Sequence, residues 1–427
     1  MFGKIYSYLL LLILISGLAI TDAIAQNNQQ VNPVLTRKNQ KERNPKETLA
    51  INFYREKKYQ KAAELFQQLY KTKQSNYYYN YLFNCLIATK NYKQAERVVK
   101  QQKKSNPGNY RYMIDEAYVA GLSGNKKKSN KILDKIINNL PTQRNQIIQI
   151  TSSLQSKGFA DMAIKVFQKA KLMPGSNYEY NFEMANAYLF SGDYDKMFDS
   201  YIRQLEKTPV DIQRIKNKLQ YVMRVDVNSN LSVMLKQKLL QSSQQNPDNL
   251  QLAEMLLWYS LQTKDFSMAF RQAKSIDMRF GNRDKDMLEL ADIAFSNYDY
   301  DISTQAYEYV KNKKNNTPFF ADSYVGYFLS HVKQVEENPN SNQKDFKELE
   351  KMGIAAINTL GINNITSDII VNLAHITAFN LSKPNEAIEM IEKALLNPAI
   401  NKNKEAYLKL KLADILVTNG NIWDATL

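Results

Sequence analysis

The chain has 427 residues, with 57 Lys+Arg, 42 Asp+Glu, 2 His and 1 Cys. A hydrophobic fraction of 44% supplies enough apolar material for a core and excludes disorder by composition. A lone Cys85 excludes an internal disulfide framework or a Cys-rich zinc site, and His331 and His375 have no second ligand at metal spacing.

The net charge of +15 is unevenly placed. Residues 37–128 hold 21 Lys+Arg against 7 Asp+Glu, whereas residues 172–427 hold 28 against 32. A basic front favours anionic surfaces or acidic proteins. A solvated, Lys- and Asn-rich face is the plainer account of the same counts.

Residues 1–25 read as a cleaved signal peptide. Lys4 gives a basic start, residues 9–15 are apolar, and Ala23-Ile24-Ala25 has the small-x-small pattern of a cleavage site. The apolar run is shorter than the roughly 18–20 residues of a membrane span. The mature chain is therefore expected to be exported, to the periplasm or in association with the outer membrane. Residues 26–44 are polar and aperiodic, as in a flexible leader. Cys85 lies in an apolar helical run, Tyr81-Leu82-Phe83-Asn84-Cys85-Leu86, which predicts a buried, inert thiol.

A period of 34 organises the rest. Gly124, Gly158 and Gly192 share one phase, and Leu133, Phe167 and Tyr201 share another. Pro107 and Pro141 stand one period apart, as do Phe266 and Tyr300. Tyr59 to Tyr92 and Ala62 to Ala95 are one residue shorter. Within a unit, apolar residues fall at helical spacing, Gly stops the first helix, the Asp that follows it can cap the second, and Pro ends it. The fullest copy runs Met184-Ala185, Tyr188, Gly192-Asp193-Tyr194, Tyr201, Pro209. Residues 45–209 form the basic N-terminal array. Residues 210–247 make a divergent unit and 248–313 a further pair. A divergent long pair follows at 314–363, and 364–427 are C-terminal units. Joints are expected near Pro209 to Pro247 and near Lys313 to Pro318. The last unit breaks off after Trp423, which reads as a truncated array.

These phases resemble the tetratricopeptide repeat (TPR). The family's Trp near the start of the first helix is replaced by Tyr79, Met113 and Asn181. The resemblance implies an all-α, right-handed superhelical solenoid of stacked antiparallel helix pairs, about ten in number. It is closest in character to exported TPR proteins of Gram-negative bacteria that assemble envelope or secretion machinery. It implies a non-enzymatic scaffold holding an extended peptide or a partner protein in a concave groove.

On that groove the repeat phases place Tyr77, Asn80 and Asn84, then Arg111, Ile114 and Tyr118. Asn145, Ile148 and Ser152 follow, then Glu179, Phe182 and Asn186. Amides would satisfy a peptide backbone, and rings would supply contact area. The apolar middle phase, Ile114, Ile148 and Phe182, is equally readable as core. Lys126, Lys127 and Lys128 form a basic patch. It supports a second reading, a glycan- or cell-wall-binding envelope protein using the basic, Tyr-rich front. No P-loop, dinucleotide loop, H-E-x-x-H or C-x-x-C occurs. No catalytic residue, metal site, cofactor or nucleic-acid partner is expected, and no membrane-spanning segment after signal cleavage.

Overall fold

The computed structural model of the chain describes residues 44–226 and 229–421. The signal peptide, the leader up to residue 43 and the closing segment with Trp423 lie outside the described residues. Among the described residues there are 21 α-helices and no strand. The fold is the expected all-α TPR-like solenoid of helix pairs. Contacts divide the described residues into two units, one up to Tyr178 and one from Glu179. This division falls inside the segment that the sequence reads as one array, 45–209.

The first unit holds α1 (Pro45–Arg55), α2 (Tyr59–Thr72), α3 (Asn76–Ala88), α4 (Tyr92–Ser105), α5 (Tyr110–Leu122), α6 (Lys126–Asn138), α7 (Arg144–Ser156) and α8 (Ala160–Lys171). The second begins with α9 (Asn181–Ser191), α10 (Tyr194–Lys207), α11 (Ile212–Val225), α12 (Asn230–Gln245), α13 (Leu250–Gln262) and α14 (Phe266–Phe280). It continues with α15 (Asp284–Ser296), α16 (Tyr300–Lys311), α17 (Phe320–Glu337), α18 (Gln343–Leu360), α19 (Ser367–His375), α20 (Pro384–Leu395) and α21 (Lys402–Thr418).

The periodic glycine has a conformational reason. Gly124, Gly158 and Gly192 close the first helix of a pair with φ of 89°, 78° and 77°, in the left-handed region where a Cβ is costly. Lys57, Lys90, Lys264 and Tyr298 hold the same place in other pairs, also at positive φ. Each carries a strain of about 1 kcal/mol that glycine would not. The next residue but one opens the second helix. The residue between them caps it: Asn91, Asn125, Asp193, Asp265 and Asp299 each accept the backbone N–H three residues on.

The small and large repeat positions form the seams. Ala62, Ala95, Ala163, Ala269 and Ala387 are fully buried, so backbones approach closely. Phe66, Phe167 and Tyr201 fill the space between pairs. In the first unit tyrosine hydroxyls join successive pairs. Tyr70 donates to Gln102 Oε1 at 2.6 Å, and Tyr112 donates to Asn76 Oδ1 at 2.7 Å. Gln102 in turn donates to Asn76 Oδ1 at 2.9 Å. A buried tyrosine thus supplies area and keeps its polar tip satisfied.

The two divergent segments are also distinct in structure. The first is α11 and α12, entered through a 3₁₀ turn at Pro209–Asp211. The second is α17 and α18, of 18 residues each. Gly326 of α17 lies against the Tyr307 ring of α16 so closely that a Cβ there would clash with the ring carbons.

Candidate functional site

The candidate surface of the first unit is built by α3, α5 and α7, the first helices of three successive pairs. In α3 the buried seam is Tyr79, Leu82, Phe83, Cys85 and Leu86. Tyr77 and Asn84 therefore face solvent, with Asn80 at the margin. In α5 the same spacing exposes Arg111, and in α7 Asn145 and Ser152.

Arg111 and Asn80 are brought together: Arg111 Nη2 donates to Asn80 Oδ1 at 2.8 Å. The Asn109 side chain caps α5 by accepting from the Arg111 backbone N–H at 3.0 Å, which fixes where Arg111 starts. Beside it a groove of about 780 Å³ opens between the N-terminal end of α5 and α7. Its walls include Asn109, Arg111, Gln146, Ile148, Gln149 and Ser152. Arg111 is the one charged side chain among the lining residues. The side chains of Gln146, Gln149 and Ser152 have no hydrogen-bond partner among the described residues. Such a wall offers donors and acceptors to an extended main chain.

The other site residues divide. Tyr77 is exposed and meets the Tyr78 and Tyr81 rings edge-on at 5.5 and 5.0 Å. Tyr118 is half-buried and edge-on to Phe159. Asn145 lies next to the groove, and Ile148 is half-buried within it. Asn186 belongs to the second unit, where its amide donates to the Phe182 carbonyl at 2.9 Å and accepts from Tyr201 at 3.3 Å. The apolar strip, readable as groove or core, is core at two of its three places. Ile114 and Phe182 are sealed in the core, because each sits one step round its helix from the exposed edge.

The basic patch is also corrected in part. Lys126 and Lys127 are exposed, but Lys128 turns to Glu96, 2.5 Å away, and lies 3.8 Å from Glu116. Its hydrogen bond holds the Glu96 carboxyl below its ordinary range. Lys128 joins two repeats and is not part of a free anion-binding face.

The same helices carry a charged centre that repeat phases did not mark. Asp115 is buried, accepting from the Tyr79 hydroxyl at 2.8 Å and pairing with Lys157 at 3.2 Å. The Lys157 ammonium also lies 4.5 Å from the Phe83 ring centroid and 5.2 Å from that of Tyr118. Burial, then the Asp115 charge, push the Tyr79 phenol far above its ordinary value, so it remains a neutral donor. One sequence signal points there. Lys157 precedes Gly158, where Ser123 and Ser191 precede Gly124 and Gly192.

Cys85 is buried, and burial pushes its thiol up to about 12, far from a reactive thiolate. Among the described residues no group of three or more His, Cys, Asp or Glu could hold a metal ion, and no helix is long and apolar enough to cross a membrane.

The family model of the tetratricopeptide repeat matches residues 53–114, which include α3, α4 and the Asn80–Arg111 contact. The chain carries tetratricopeptide repeats. Such stacked pairs present an extended interaction surface. No curated protein matches the sequence. Among solved structures, the Naa15/Naa10 complex bound to HypK-THB is 14% identical, with a TM-score of 0.34. That match covers 88% of this chain and 56% of the other, so this chain spans little more than half its length. The Cut9–Hcn1 hetero-tetramer of the APC/C is 12% identical over 90% of this chain and 85% of that one, with a TM-score of 0.28. The C-terminal part of a TPR repeat-containing protein from Cytophaga hutchinsonii is 18% identical over 55% of this chain and 95% of that one, TM-score 0.24.

Proposed function

We propose that this TPR protein is an interaction scaffold of the bacterial envelope whose first unit holds an extended peptide segment of a partner in the α5–α7 groove. The observation that carries this reading is the groove wall. Gln146, Gln149 and Ser152 have no internal partner, and Arg111 is held beside them by Asn80. Amides and a hydroxyl pair with a peptide main chain, and the guanidinium selects a carboxylate or carbonyl. Export rests on the signal-peptide pattern of residues 1–25.

The test is site-specific photocrosslinking in the native cell, with the crosslinker at Asn80, Gln149 or Ser152. Glu64, exposed on α2, is the control. One partner peptide crosslinked from all three groove positions but not from Glu64 is expected, and Arg111→Ala should reduce its yield. Equal yields from Glu64 would overturn groove binding. N-terminal sequencing of the mature chain should begin at Gln26; retention of Met1 in the cytoplasmic fraction would overturn export.

The second reading, binding of an anionic glycan or cell-wall polymer, is favoured by the exposure of Lys126 and Lys127. It requires envelope binding that weakens steeply with salt and with charge reversal at these two residues.

A further inference from the structure

Helix α11 stands out by charge. It carries Arg214, Lys216, Lys218 and Arg224 and no carboxylate, within a region, residues 172–427, in which acids outnumber bases. It is held by a narrow seam, Ile215, Leu219 and Val222. One flank, about a quarter-turn round the helix from this seam, carries Arg214, Lys218, Tyr221 and Val225 at i, i+4, i+7 and i+11, and Arg224 lies further round, opposite the seam. All five are exposed, Tyr221 by 60% and Val225 by 56%. Val210, just before the helix, is 86% exposed.

Two of these cations are unpaired: Lys218 and Arg224 make no ion pair among the described residues. The Arg214 guanidinium lies 3.4 Å from the Phe182 ring centroid and 4.0 Å from Asp211. Stacking holds it flat and leaves its outer edge for a carboxylate.

We propose that the outer face of α11 is a second docking surface, and that it takes an acidic amphipathic helix of a partner protein. The stripe runs about 16 Å along one side of the helix. It interleaves apolar and cationic side chains at helical spacing. A partner that matches it must therefore supply apolar groups and carboxylates at the same spacing, as an acidic amphipathic helix does. Tyr and Arg are also the side chains that dominate protein–protein contacts. A bilayer matches less well. An interfacial helix gives its apolar face to the lipid, whereas the main apolar seam of α11 is already buried in protein. The proposal rests on the scaffold reading but concerns a different surface, in the second unit.

The probe is a synthetic peptide of about 20 residues, long enough to be helical, with Leu and Glu at helical spacing. A scrambled peptide of the same composition is the control, and binding to the full chain is read by fluorescence anisotropy. The helical peptide should bind and the scrambled one should not. Lys218→Glu with Arg224→Glu, and separately Tyr221→Ser, should each weaken binding by about tenfold. Their thermal unfolding should match the parent, because these side chains are exposed. Arg111→Ala should leave peptide binding unchanged, so failure here is distinct from failure of the groove. Equal binding of the scrambled peptide would overturn the proposal. So would charge-reversed chain that binds as well as the parent, or binding to phosphatidylglycerol vesicles through these residues with none to the peptide.

Discussion

The Lys157 ammonium lies 3.2 Å from Oδ1 of Asp115, a carboxylate whose side chain is 3% exposed. Asp115 and Tyr79 belong to two successive repeats, and Lys157 to the next, so one carboxylate ties three together. Removing Lys157 leaves a buried charge with only the Tyr79 hydroxyl. Lys157→Met should therefore destabilise the first unit by about 2 kcal/mol, less than a fully sealed pair because Lys157 is partly exposed. Adding Asp115→Asn should recover part of the loss. Urea unfolding of the single and double variants measures the coupling, and simple additivity would show that the pair is not coupled.

The three adjacent lysines should behave differently from one another. Lys126→Glu and Lys127→Glu place acids in the first turn of α6, where the helix dipole tolerates them, and should change stability by no more than about 0.5 kcal/mol. Lys128→Glu sets two carboxylates against each other at Glu96 and should cost about 1 kcal/mol, reduced by salt. Thermal melts in low and high salt check both. Equal effects at all three would mean that Lys128 is as free as its neighbours.

Stability should fall with acid through the two histidines. Burial lowers the pKa of both His331 and His375 from an ordinary 6.5. The unfolded chain then binds a proton before the folded chain does. The neutral-ring contribution is complete above about pH 6.5 and is lost as pH falls toward the lowered folded values. Replacing both by Gln should flatten this part of the stability profile. An unchanged slope between about pH 7 and pH 5 would assign it to other groups.

Gly326 should resist substitution. Its missing Cβ makes room for the Tyr307 ring, so Gly326→Ala should cost about 2 kcal/mol despite alanine's better helix propensity. Combining it with Tyr307→Leu should restore much of that. If Gly326→Ala alone stabilises the chain, the helices are not as close as described.

The period, the turns and the seams were legible because they obey local rules. Gly124, Gly158 and Gly192 are required by a left-handed turn, Asp193 by unsatisfied N–H groups, and Ala62 and Ala95 by close helix approach. Helical spacing also placed Asn80, Arg111 and Ser152 on one exposed side. Phase alone could not show whether a neighbouring position faces groove or core. Ile114 and Phe182 are buried, where the sequence allowed either.

The sequence by itself determined the repeat, its helix pairs and the uneven charge, since each depends on residues close along the chain. Only the tertiary structure decided which charges are spent. Lys128 is used on Glu96 and Lys157 on Asp115, while Lys218 and Arg224 remain exposed without an ion pair among the described residues. The physical reason is distance. Glu96 and Asp115 belong to the repeats before those of Lys128 and Lys157, and each is met only when the repeats stack.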